Sequence, residues 1–143
     1  MRKFLIVAIL SLFLLSACSS QQKYSEQTKP TQLISITLTD AYPGNLTNVN
    51  RVELFDGSSG ERKIVADRTI IQNWLNQIKD IKLIPEKDQG VRAGDVFGIT
   101  LYEGEVKKFG FLSGNVNNVY YKTNKDFVEP IRALFKEQFG RQF

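Results

Sequence analysis

The spacing of apolar and polar residues changes period several times along the chain, and each change marks an element. Residues 33–39 read LISITLT, with Ile34, Ile36 and Leu38 alternating with Ser35, Thr37 and Thr39. A period of two predicts a half-buried strand. Residues 40–48 carry Pro43-Gly44 with several Asn and Thr, a loop composition. Residues 51–55 put Val52 and Leu54 on one face of a second strand. Asp56-Gly57-Ser58-Ser59-Gly60 supplies a turn, and residues 62–65 return as a third strand, making a hairpin. From Asp67 the period lengthens. Ile70, Ile71, Trp74, Leu75, Ile78 and Ile81 share one helical stripe. The Asp67 carboxylate is placed to accept a first-turn N–H as N-cap, and the helix is expected to end before Pro85.

Residues 83–95, LIPEKDQGVRAGD, form a long polar connection. Three more extended segments follow: 96–102 (VFGITLY), 106–112 (VKKFGFL) and 119–122 (VYYK). A tight turn at Glu103-Gly104 and a turn region over 113–118 join them, and connections this short predict antiparallel pairing. Phe127, Val128, Ile131, Leu134, Phe135 and Phe139 then share the face of a second helix, capped by Asn124 or Asp126, with Pro130 near its first turn. The order is β-β-β-α-β-β-β-α. Two apolar helix stripes have to cover an amphipathic sheet, which predicts an α+β fold: two layers, a mostly antiparallel sheet with two helices packed on one face. About 110 residues are enough for such a core without metal or disulfide.

The first seventeen residues follow a different logic. Arg2 and Lys3 are positive, residues 4–15 are almost wholly apolar, Ser16 and Ala17 are small, and Cys18 follows. This is the order of a secretory signal peptide over residues 1–17. The apolar run is shorter than the roughly 20 residues that a spanning helix needs. Leu15-Ser16-Ala17-Cys18 resembles the lipobox of bacterial lipoproteins. The resemblance implies cleavage before Cys18, a diacylglycerol on its sulfur and an N-acyl chain on its amine, with no other cofactor. It also implies a lipid-anchored place at the extracytoplasmic face of the cell membrane. One acyl chain binds marginally, at about 0.8 kcal/mol per buried methylene, whereas a diacylglycerol supplies two. Residues 18–32 then read as the lipidated cysteine and a flexible polar tether, and residues 33–143 as a single domain. That domain is similar to small uncharacterised Bacillus-type lipoproteins in the stretches DRTIIQNWLNQI, FGITLYEG and YYKT. The similarity implies an exported lipoprotein and brings no catalytic residues with it.

Composition narrows the chemistry. The formal charge of +4 halves when Arg2 and Lys3 are removed with the signal, so nothing favours a nucleic-acid partner. The chain has no histidine, and its one cysteine is Cys18. That excludes Ser-His-Asp and Cys-His catalysis, the usual zinc sites, and haem held by His or free Cys. Gly57-Ser58-Ser59-Gly60 is not G-x-S-x-G and lacks a strand-to-helix context. Asp56, Ser58 and Gly60 begin like a calcium loop, but Glu61 arrives too early to close one. Glu103 and Glu105 flank Gly104 on a turn and are expected to be solvated.

Two candidate recognition elements remain. Asp88 and Asp95, with Arg92 between them, lie on the long connection. The C-terminal meander concentrates Phe97, Tyr102, Phe109, Phe111, Tyr120 and Tyr121. Adjacent strand residues point to opposite faces, so either Tyr120 or Tyr121 faces away from the helices. With Tyr102 and Leu112 it would form an aromatic patch for a protein or glycan. The expected function is a non-enzymatic binding module at the cell envelope that engages an envelope protein or wall component. A small-ligand sensor or carrier with a pocket between sheet and helices is the alternative. A histidine-free glycosidase with two carboxylates ranks third.

Overall fold

The computed structural model describes residues 33–143 apart from 91, 93 and 95. The expected signal peptide, the tether with Cys18, and Asp95 lie outside the described residues. The domain is α+β, a six-stranded antiparallel sheet with helices packed against it. Its strands are β1 (Arg51–Asp56), β2 (Arg62–Val65), β3 (Phe97–Glu103), β4 (Val106–Leu112), β5 (Asn115–Val116) and β6 (Val119–Tyr120), in the spatial order β2-β1-β3-β4-β5-β6.

Register explains which face is covered. Val52 stands opposite Leu101, Leu54 opposite Ile99 and Asp56 opposite Phe97; across the next ladder Leu101 meets Phe109 and Ile99 meets Phe111. Because side chains alternate along each strand, these residues form one face, apolar except for the buried Asp56 at its end. Two helices close over it. The first long helix, Arg68–Ile78, buries Ile71, Trp74, Leu75 and Ile78. It starts where expected, with Asp67 accepting from the Thr69 and Ile70 N–H groups. The C-terminal helix, Lys125–Phe139, buries Phe127, Ile131, Leu134 and Phe135. Asn124 is its cap rather than Asp126, so Pro130 sits inside the helix, beyond the first turn. Gly140 ends it with a φ of 68°, a left-handed conformation that suits glycine. Phe97, Phe135, Phe139 and Phe143 cluster there, with Phe97 and Phe135 4.8 Å apart edge to face.

The predicted strand over 33–39 is not a strand. Ile36 makes a single bridge to Leu83, and Leu38–Ala41 is one helical turn. Thr37 accepts from the Asp40 N–H at 3.1 Å while its own N–H donates to the Asp40 carboxylate at 2.9 Å. This reciprocal capping box overrides a short alternation. The missing strand is replaced within the expected turn region, where β5 and β6 are joined by Asn117-Asn118 with φ of 52° and 62°. Positive φ at both central residues is the type I′ hairpin geometry, and asparagine tolerates it.

The long connection is tied down at its start. Lys122 N–H donates to the Ile84 carbonyl at 2.8 Å and Glu86 N–H to the Tyr120 carbonyl at 2.9 Å. Gln89 extends this with its side chain, accepting from Tyr120 N–H at 2.8 Å and donating to Tyr120 C=O at 2.9 Å. The outer edge of β6 is thereby covered, which removes a template for pairing with another chain. The opposite edge is β2, where Ile64 is half exposed.

Candidate functional site

The face of the sheet away from the helices is open. Along one cross-strand row lie Arg62, Phe55, Gly98, Leu112, Asn115 and Tyr120; the next row holds Glu53, Thr100 and Gly110, and a third Arg51, Tyr102 and Lys107. In its middle is an open concavity of about 550 Å³ with Gly98 and Gly110 in its lining and Phe55, Arg62, Lys107, Leu112 and Asn115 around them. Asn117 and Asn118 reach it from the type I′ turn. The two glycines differ. A Cβ on Gly98 would lie 3.2 Å from Phe55 Cβ and Cδ1, so Phe55 packs directly on that glycine. A Cβ on Gly110 would meet nothing nearer than 3.7 Å, so depth is kept there only by the missing side chain.

Charged groups around this concavity are mostly satisfied by one another. Arg51 lies 4.1 Å over the Tyr102 ring and 3.4 Å from Glu105. Arg62 lies 4.5 Å over Phe55 and 2.5 Å from Glu53. Arg92 lies 5.3 Å from the Tyr120 ring, 3.7 Å from Glu86, and donates to the Asp88 carbonyl at 2.9 Å. Each guanidinium is held between an aromatic ring and an oxygen partner, an arrangement that arginine's flat, weakly hydrated cation favours. Lys107, Thr100, Asn115, Asn117 and Asn118 differ: among the described residues their side chains make no intramolecular hydrogen bond or ion pair.

The residues singled out from sequence are distributed as follows. Tyr120 and Tyr102 stand on the open face, in different rows, each beneath an arginine. Tyr121 turns the other way. It is buried, and that burial pushes its phenol pKa up. The expected patch is thus two separate arginine-capped rings, and Tyr121 belongs to the core. Arg92, Tyr120 and Tyr121 do come together in a smaller concavity of about 200 Å³ with Glu86, Gly94, Gly114 and Thr123. Asp88 uses its carboxylate locally, accepting from Gly90 N–H at 2.9 Å. Glu103 is not solvated as expected: it accepts from the Tyr42 hydroxyl at 2.7 Å and lies 3.9 Å from Lys108. Burial, reinforced by that carboxylate, pushes the Tyr42 phenol well above the ordinary tyrosine range.

Sequence reasoning read the Asp56 turn as a hairpin and missed what it holds. Asp56 is buried and accepts from Ser58 N–H at 2.8 Å, Ser58 Oγ at 2.6 Å and Ser59 Oγ at 2.7 Å, and from the Arg141 guanidinium. The two serine hydroxyls, ahead of the backbone N–H and Arg141, hold its carboxyl well below the usual range against the opposing effect of burial. The cluster is a clasp between the β1–β2 turn and the segment after the last helix. Gln89, Tyr42 and Arg141 had no local signal, since each acts on a partner far along the chain.

The space between sheet and helices is filled by Leu54, Trp74, Ile99, Phe127 and Phe135, all buried. Among the described residues no group of three or more His, Cys, Asp or Glu could hold a metal ion, and no helix is long and apolar enough to cross a membrane. No family model, curated protein or solved structure matches the chain.

Proposed function

We propose that this protein is a lipid-anchored, non-enzymatic binding module at the extracytoplasmic face of a cell membrane, and that it presents the open face of its sheet to an envelope protein or wall component. The anchor rests on the order of Arg2-Lys3, the apolar run and Leu15-Ser16-Ala17-Cys18. Two acyl chains on Cys18 would hold the chain stably at the bilayer, and the polar stretch before residue 33 would let the domain stand off from it. One observation carries the binding half. The open face holds a concavity of about 550 Å³ whose unpaired polar side chains are ringed by self-satisfied charges. A solvated sheet face carries the polar half of the strand alternation, and here that face is also concave.

The test compares the full chain with Cys18→Ala for membrane fractionation, precursor size and incorporation of labelled fatty acid. The variant is expected to lose the label, keep the precursor size and change its partition. Unchanged association, size and labelling would refute the anchor. For the binding half, a photo-crosslinker at position 117 is expected to capture a partner on intact membranes while one at Gln77, on the helix layer, does not.

A further inference from the structure

Resting on the open face as the binding surface, we infer that its groove takes a carboxylate-bearing glycan strand. Three features select that chemistry. First, the polar groups that are free are those that bind hydroxyls and one negative charge. The amides of Asn115, Asn117 and Asn118 and the Thr100 hydroxyl each donate and accept, and of the two cations lining the groove Arg62 is paired with Glu53 while Lys107 has no carboxylate partner among the described residues. The arginines nearby are already engaged by Glu53, Glu105 and Glu86. A single ammonium matches a singly charged group repeated along a sugar chain.

Second, the groove lies across β1, β3, β4 and β5, whose backbone groups are used in the ladders. An extended peptide gains its affinity from backbone pairing at a sheet edge. Here the backbone of the floor is already paired within the ladders, so a ligand gains its hydrogen bonds from side chains, which suits hydroxyls more than peptide groups. Third, Gly110 leaves open space on the floor where a ring could rest, while Phe55 and Leu112 offer apolar surface for its C–H face. Glycine is an unfavourable residue in a strand interior, and nothing packs on this one closely enough to require it.

The test uses the full chain in detergent and titration calorimetry with three probes: a short oligogalacturonate, its fully methyl-esterified counterpart, and a poly-glutamate peptide of equal length. The oligogalacturonate is expected to bind, more weakly as salt rises. Gly110→Val fills the floor with a strand-favouring residue and is expected to abolish binding while the thermal melt stays at or above wild type. Lys107→Gln is expected to weaken binding about three- to tenfold. Asn117→Asp, which keeps a residue tolerant of positive φ, is expected to weaken it as well. Equal binding of the methyl ester, or poly-glutamate binding as tightly, overturns the proposal, as does binding untouched by Gly110→Val. If no probe binds, the glycan is overturned. Crosslinks from position 117 would then still support the open face as a binding surface, and their loss would remove that reading too.

Discussion

Gly98 and Gly110 stand on the same face of the sheet, yet one methyl group added to each is expected to move stability in opposite directions. Neither has a positive φ, so alanine can adopt both backbones. A strand glycine costs roughly 0.5–1 kcal/mol relative to alanine, largely through the freedom of the unfolded chain. At Gly110 the added Cβ finds Lys107 Cε at 3.7 Å and the Ile99 carbonyl and Thr100 Oγ1 at 3.8 Å, ordinary contacts. The gain is kept, and Gly110→Ala is expected to raise the melting temperature by about 2–5 °C for a domain of this size. At Gly98 the same atom lands 3.2 Å from Phe55 Cβ and Cδ1. The Phe55 Cβ is fixed by the β1 backbone and cannot swing aside, so the ring tilts off its rotamer or the strands part. Overpacking of this kind costs about 1–3 kcal/mol, which outweighs the backbone gain and leaves Gly98→Ala destabilised by about 0.5–2 kcal/mol. Urea titration followed by the fluorescence of the single, buried Trp74 reads both variants. In a Phe55→Ala background the ring contact is gone while the Cβ contact stays, so the penalty at position 98 is expected to shrink without vanishing, a coupling that the double-mutant cycle measures. Equal stabilisation by both glycine replacements would refute Phe55 packing as the reason for Gly98.

Three further outcomes follow from the clasp, the phenol and the covered edge. Asp56 titrates lower in the folded chain than when unfolded, so its contribution is full above the unfolded value near 4 and is lost as pH falls through the folded one. The urea midpoint of wild type is expected to fall more steeply between about pH 5 and pH 2 than that of Asp56→Asn, and parallel profiles would contradict the clasp. Tyr42 is shifted the other way: its contribution is complete below about pH 10 and is lost as pH rises beyond that value. Tyr42→Phe is therefore expected to flatten the alkaline loss of stability, leaving the part due to Tyr121. Gln89→Ala removes two hydrogen bonds to Tyr120. It is expected to cost about 1–2 kcal/mol and to speed hydrogen exchange at the Tyr120 amide; unchanged exchange would mean that the backbone at Glu86 holds β6 by itself.

What could be read from the sequence was what local periodicity and capping encode. The stripe from Ile71 to Ile78 with its Asp67 cap, the β1–β2 hairpin and the Glu103-Gly104 turn all follow from short-range rules and are present in the fold. The alternation at 33–39 misled because it is brief, while Thr37-x-x-Asp40 carried a competing helix-start signal within the same residues. The tyrosine pair was legible as a choice between faces, but which ring turns inward depends on the bridge between Tyr121 and Pro85, a pairing across the long connection. The groove was not legible at all. Its members come from β1, β2, β3, β4, β5 and a turn, and only register brings Phe55 onto Gly98 and Lys107 beside Gly110.

The place of β1 between β2 and β3 has a consequence for how the chain acquires its surface. Its partner β2 follows after a short turn, whereas β3 arrives only after the first long helix and the long connection. The hairpins β1–β2 and β3–β4 can form as local units, but joining them through Leu54 and Ile99 requires closure of a long loop before its contacts can offset the lost entropy. Its long loop makes that docking the step expected to limit the folding rate. It is also the step at which Phe55 and Arg62 first meet Gly98, Lys107 and the asparagine turn. A chain stalled with both hairpins made has its caps and turns but no groove. Occupancy of the open face thus registers completed folding, and a ligand bound there would hold the two halves of the sheet together.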